Sequence, residues 1–206
     1  MVTQIRVYVE GGGNAKDTKT RMREGFGGFF RVIIDRVRER RIKWQVIACG
    51  PRDEAYRDFK IALEANPGAF NMLLVDSEGP VSAQPWDHLR ERDGWAKPDA
   101  DDSQCHLMVQ TMEAWLIADL ETLARFYGAG FGRAAIPSNP NVEEIDKSRL
   151  LPALEAATRD TTKGQYHKTR HAPRILGELD VSRVRSAAPH CERLFSTLLD
   201  LIHSPQ

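Results

Sequence analysis

The first 76 residues alternate short strand-like runs with helix-like ones, and this rhythm restricts the chain to few folds. Residues 4 to 9, QIRVYV, alternate in polarity and are rich in β-branched and aromatic types. Residues 44 to 49, WQVIAC, have the same character. Residues 70 to 75, FNMLLV, are nearly all apolar, as a strand covered on both faces requires. Between these runs lie two helix patterns. One extends from about Arg21 to Arg40, with Phe26, Phe29, Phe30, Ile33, Ile34 and Val37 on its apolar face and Gly25, Gly27 and Gly28 weakening its first turns. The other covers about 52 to 65. Glu10-Gly11-Gly12-Gly13-Asn14, Gly50-Pro51 and Asn66-Pro67-Gly68 punctuate the series. The order β-α-β-α-β belongs to a parallel sheet flanked by helices, so the expected class is α/β. Right-handed crossovers then bring all three strand C-termini to one edge.

Further along, the pattern loosens. Residues 79 to 104 carry Gly79, Pro80, Pro85, Gly94 and Pro98 and the acids Asp99, Asp101 and Asp102, and read as a long ordered loop or lid with a short helix near 85 to 92. A fourth strand is expected at 106 to 110, HLMVQ, and helices at 112 to 127, 146 to 159 and 188 to 202. The expected organisation is a single domain over 1–206, with an α/β core over 1–127 and a helical extension over 128–206.

The chain has 206 residues, long enough to bury a core without disulfides or a structural metal. Its basic and acidic residues balance at 29 each, which argues against an indiscriminate, histone-like binder but averages over the surface. By position the charge is uneven. Ten basic residues fall between Lys16 and Lys43, seven acids between Glu91 and Asp119, and Lys163, Lys168, Arg170 and Arg174 with His167 and His171 form a stretch without an acid. Lys163, Lys168 and Arg170 are candidates for holding phosphate, and Tyr166 among them for stacking on an exposed base; a polar surface turn between helices is the plainer account. No apolar run is long enough to cross a bilayer, the start lacks a basic leader followed by an apolar run, and the three cysteines are scattered. Together these features predict a cytoplasmic chain with ordinary thiols and no membrane partner.

The sharpest chemical signal is acidic. Glu10 directly follows the first strand, and Asp76 and Glu78 follow the third. In an open parallel sheet these positions share the edge where ligands bind. Three carboxylates meeting there make a hard oxygen site suited to Mg2+ or Mn2+. Acids are also ordinary turn residues, so each one alone decides little. Gly11 to Gly13 lack β-carbons and allow close approach to the backbone. Cys105-His106 and His190-Cys191 are too isolated to specify zinc, no histidine spacing supports a cysteine nucleophile, and no Gly-Lys-Ser/Thr follows the glycines to make a P-loop.

VYVEGGGNAK, LLVDSEGP, HLMVQTMEAWLIAD and KGQYHKTRH resemble a bacterial family of uncharacterised proteins, DUF4276, related to the Toprim and overcoming-lysogenization-defect (OLD) type nucleases. The resemblance covers nearly the whole chain and implies a Toprim-like domain. In Toprim proteins a glutamate after the first strand and an acid-x-acid pair after the third bind divalent metal beside the phosphate being transferred. Carried over, these are Glu10, Asp76 and Glu78. The usual pair is two aspartates, so Glu78 departs from the pattern. The further acid of the nuclease branch falls at Asn14, which supplies no charge. Glu113, after the fourth strand, is the candidate substitute, with Asp119 a weaker one; Glu113 also suits the first turn of a helix through the helix dipole. His106 is read either as an orienting group or as a packed strand residue.

The resulting expectation is a Mg2+- or Mn2+-dependent phosphodiesterase acting on nucleic acid. Glu10, Asp76, Glu78 and Glu113 would bind metal, Glu10 would contribute as general base, and Lys163, Lys168 and Arg170 would stabilise charge. The resemblance further implies a defence module working with a separate ATPase subunit, with self-association left open. Two other expectations stand beside it: a noncatalytic Toprim-like partner or regulator of an ATPase, and a metal-dependent phosphatase or nucleotide hydrolase.

Overall fold

Strand β1 (Gln4–Glu10) points Ile5, Val7 and Val9 to one face of the sheet and Tyr8 to the other, and all four are buried. A computed structural model describes residues 2–13 and 15–203. After β1 come α1 (Lys16–Phe29), α2 (Arg31–Glu39), β2 (Lys43–Gly50), α3 (Arg52–Ala65), β3 (Phe70–Asp76), α4 (Pro85–Asp93) and β4 (Cys105–Met108). The remaining helices are α5 (Met112–Ile117), α6 (Leu120–Tyr127), α7 (Lys147–Thr158), α8 (Ala172–Glu178), α9 (Val181–Ala187) and α10 (Pro189–His203). The four strands form one parallel sheet in the order β2-β1-β3-β4. This is the α/β architecture expected, with β1 and β3 side by side at the centre.

Period-two alternation divides the core between the sheet's two faces. Met72 and Leu74 of β3 join Ile5, Val7 and Val9 beneath α1, α2 and the helices after α4. Leu73 and Val75 join Tyr8 on the opposite face, against Ala55, Tyr56 and Phe59 of α3 and Trp86 and Leu89 of α4. The nearly continuous apolar run of β3 therefore has a partner layer on each side. Helix α4 starts with Pro85 at its first turn and ends at Gly94 in the left-handed conformation, φ 71°.

Several elements differ from the sequence expectation. The helix expected over 21 to 40 starts earlier and is two helices, broken at Phe30 just after Gly27-Gly28, the poorest helix formers in the segment. Gly25 and Gly28 serve a different purpose from weakening a first turn. A β-carbon on Gly25 would strike the Pro173 carbonyl, and one on Gly28 the Gly177 backbone, so α1 and α8 cross with their backbones nearly touching. The expected 112–127 helix is also two, because the buried Asp119 accepts from the Thr122 N–H at 3.1 Å and caps a new start. Strand β4 is shorter than 106 to 110, because the chain turns to accept the Ser77 and Glu78 N–H groups on the Met108 and Gln110 carbonyls, at 3.0 and 2.8 Å. Helices α8 and α9 are each seven residues long, too short to show a clear period. Among the described residues no helix is long and apolar enough to cross a membrane.

Candidate metal centre

Parallel pairing puts the ends of β1 and β3 together, and with them Glu10 and Asp76. After Asp76 the chain bends, Glu78 adopting φ 62°, so that its side chain returns towards the sheet edge. One oxygen from each of Glu10, Asp76 and Glu78 lies within 4.8 Å of the others. Glu10 Oε2 accepts from the Asp76 backbone N–H at 3.2 Å, and Asp76 Oδ1 accepts from the Met112 N–H at 2.8 Å. These bonds orient the carboxylates from the backbone. Gly11, beyond β1, has φ 113° and donates its N–H to the Gly50 carbonyl at 2.8 Å, which ties the turn after β1 to the end of β2.

The three acids differ electrostatically. Burial pushes Glu10 above its ordinary pKa, against the pull of Arg52 and the Asp76 N–H. Burial, followed by the charges of Glu10 and Glu113, drives Asp76 well above its ordinary value. Burial also acts upward on Glu78, but Lys147 at 2.5 Å outweighs it, and the Glu78 pKa is lowered. Among the described residues Asp76 alone of the three has no side-chain cation within salt-bridge distance. It is the carboxylate with most to gain from a cation.

Two basic residues of the centre lie outside the sequence expectation. Arg52, the first residue of α3, donates to Glu10 Oε2 at 3.2 Å and to the Asp76 carbonyl, and grips Asp93 through Nε and Nη2 at 3.0 and 2.7 Å. Its guanidinium also lies 4.9 Å from the Trp95 ring centroid. Its place just after the second strand marks the same sheet edge, a signal that applies to bases as much as to acids. Lys147 enters from α7, 69 residues from Glu78, and nothing local announces it.

Glu113 lies in the first turn of α5, is 3% exposed, and stands outside the trio. Its Oε1 accepts from the Tyr166 hydroxyl at 3.1 Å and faces Lys168 Nζ at 3.4 Å. Its charge nevertheless reaches Asp76. Tyr166 is buried with its hydroxyl on Glu113, so it offers no open ring face, and the base-stacking expectation is corrected. The basic segment divides in two. Lys168 faces Glu113, whereas Lys163 and Arg174 lie 5.3 and 5.5 Å from the Phe126 ring centroid and, with Arg170, bring their charges to His171 beside a cavity between α1 and α8. Asp119 caps α6 and holds the Asp180 N–H at 2.9 Å. His106 is packed beneath α10, with Nε2 at 3.0 Å from the Ser103 carbonyl and Nδ1 at 3.3 Å from Arg193; burial lowers its pKa to about 3. All three cysteines are buried free thiols. Asn14 lies outside the described residues.

A family described as a domain of unknown function, DUF4276, matches residues 9–199. The chain belongs to this family. The DUF4276 match takes in Glu10, Asp76, Glu78 and Glu113 together with Arg52 and Lys147. No curated protein and no solved structure matches the chain.

The donor set fits a hard divalent cation. It consists of carboxylate oxygens, without thiolate or imidazole, and two of the acids are held above their ordinary pKa by burial and mutual repulsion.

Proposed function

We propose that the chain is a Mg2+- or Mn2+-dependent phosphodiesterase acting on nucleic acid, of Toprim-like type. The observation that carries the reading is the convergence of Glu10, Asp76 and Glu78 at the C-terminal edge of a parallel sheet, with Asp76 lacking a cation partner. The strand order β2-β1-β3-β4 and the family resemblance support it. Glu10, Asp76 and Glu78 would hold the metal, which would supply Lewis-acid stabilisation of phosphate charge and a more acidic bound water. Glu113 belongs to the next layer, its carboxylate fixed by Tyr166 and Lys168. Glu10, with its raised pKa, is suited to accept a proton from an attacking water. Arg52 orients Glu10 and adds fixed positive charge beside it. A role in a defence module with an ATPase partner follows from the resemblance and belongs to the same proposal.

One observation favours the noncatalytic reading: Arg52 and Lys147 already engage Glu10 and Glu78. Purified protein incubated with DNA and RNA oligonucleotides and Mg2+ or Mn2+ distinguishes the two. The expected result is cleavage that Asp76→Ala abolishes. Metal-independent cleavage that survives Asp76→Ala would sink the mechanism, and absence of divalent-ion binding by calorimetry at millimolar metal would favour the partner role. Running nucleotides alongside the oligonucleotides separates a nuclease from a phosphatase.

A further inference from the structure

A cavity of about 910 Å3 opens between α1 and α8, and its lining includes none of the three clustered carboxylates. Four arginines reach it from two stretches of the chain: Arg21 from α1 and Arg31 from the start of α2, then Arg170 from the segment before α8 and Arg174 from α8. All four are exposed. The near-contact of the α1 and α8 backbones at Gly25 and Gly28 forms part of the wall, so the cavity is built into a tight helix crossing.

The pairing of these arginines points to a ligand. Among the described residues Arg31 and Arg170 have no carboxylate within 4.0 Å, Arg21 pairs with the exposed Asp17 at 3.4 Å, and Arg174 lies 5.5 Å from the Phe126 ring centroid. Glu24 and Glu178 line the same cavity, yet neither forms a salt bridge with any of the four. Four guanidinium groups thus share one concavity, and among the described residues three of them have no carboxylate partner. The planar, permanently charged guanidinium suits phosphate oxygens, and the volume is that of a ligand site.

We propose that this cavity is a second site, which holds the phosphate backbone of a nucleic-acid strand apart from the acidic centre. The choice of a nucleic-acid strand rests on the phosphodiesterase reading; the cavity and its charge do not. Lys168, 3.4 Å from Glu113, is two residues from Arg170, so their Cα atoms are at most about 7 Å apart. The basic segment therefore runs from Glu113, whose charge reaches Asp76, to the arginine cavity. The arginine and glycine lining grips backbone charge without reading bases, and the Tyr166 and His171 rings of that segment are buried. Binding here is therefore salt-dependent and indifferent to sequence.

The test is fluorescence anisotropy with a labelled single-stranded oligonucleotide in EDTA, which removes any contribution from bound metal. Arg31→Gln with Arg170→Gln is expected to weaken binding about tenfold or more, and to flatten the salt dependence by about 0.7 in log–log slope for each phosphate no longer neutralised. Glu24→Gln is expected to tighten binding, a gain that a damaged fold does not produce. Unchanged affinity and salt slope in the double arginine variant would overturn the proposal, as would wild-type protein that binds no oligonucleotide at low salt. Competition by inorganic phosphate or a free nucleotide as effective per molecule as by unlabelled oligonucleotide would place a small phosphate there instead and overturn the strand. Loss of cleavage with metal, while this metal-free binding and its response to the variants persist, would defeat the phosphodiesterase reading and leave the cavity site standing.

Discussion

Asp76 shows how one side chain carries both a cost to stability and an opportunity for chemistry. It sits between Glu10 and Glu113 with no cation of its own, and its pKa is raised well above the ordinary range. An acid whose folded pKa exceeds its unfolded value binds more protons when folded, so its contribution to stability is present below the unfolded pKa and is lost as pH rises through the folded one. Asp76→Asn keeps an oxygen for the Met112 N–H and removes the repelled charge. Without metal, this variant is expected to melt above wild type at pH 7. The difference should shrink as pH falls through the raised folded pKa towards the unfolded value of about 3.9, and vanish below it, where the wild-type carboxyl is protonated in both states. Addition of Mg2+ or Mn2+ should raise the wild-type melting temperature and leave the variant unmoved. A variant less stable than wild type at pH 7 would show that the carboxylate's contacts outweigh its repulsion. The acids at the strand exits are legible in the sequence because a strand end is a local feature. Arg52 occupies such an exit too, and the same logic extends to it once bases are counted there with acids.

At the scale of elements, the α1–α8 crossing converts three glycines into opposite predictions. Gly25 and Gly28 have no room for a methyl group, whereas an added β-carbon at Gly27 meets nothing within 4 Å. Gly25→Ala and Gly28→Ala are expected to destabilise by about 1–3 kcal/mol through overpacking. Gly27→Ala is expected to stabilise by about 0.5–1 kcal/mol, because it removes backbone freedom from a helix interior. Urea or thermal melts of the three variants check the sign; destabilisation by Gly27→Ala equal to that of its neighbours would refute the crossing. Sequence alone shows all three as weak helix formers. What distinguishes them is the partner helix α8, far along the chain, whose own short length conceals it. The edge strand β4 is completed in a similar long-range way: Arg193 of α10 donates to the Cys105 and Asp102 carbonyls at 3.0 and 2.6 Å.

Across the whole molecule, the helices after residue 128 and the sheet share one apolar cluster. Leu150, Leu154, Ile175, Leu176, Leu194, Phe195 and Leu198 are buried with Ile5, Val7 and Val9, and Phe195 meets Phe29 at 5.6 Å between ring centroids. Each such side chain contributes on the order of 1.5–3 kcal/mol by its burial. Residues 1–127 alone are therefore expected to lack a cooperative thermal transition and to bind a hydrophobic dye; a sharp melt of that fragment would show a self-sufficient core. By itself the sequence determined the α/β class, the order of the first elements and the three acids at one sheet edge. Those follow from periodicity and from the rule that parallel strands end on the same side, both readable within a few residues. Only the tertiary structure decided that Arg52 and Lys147 attend those acids, that Tyr166 is buried on Glu113, and that arginines of two distant stretches line one cavity. These depend on which side chains meet after packing, across separations such as 42, 69 and 53 residues, and no local pattern encodes such meetings.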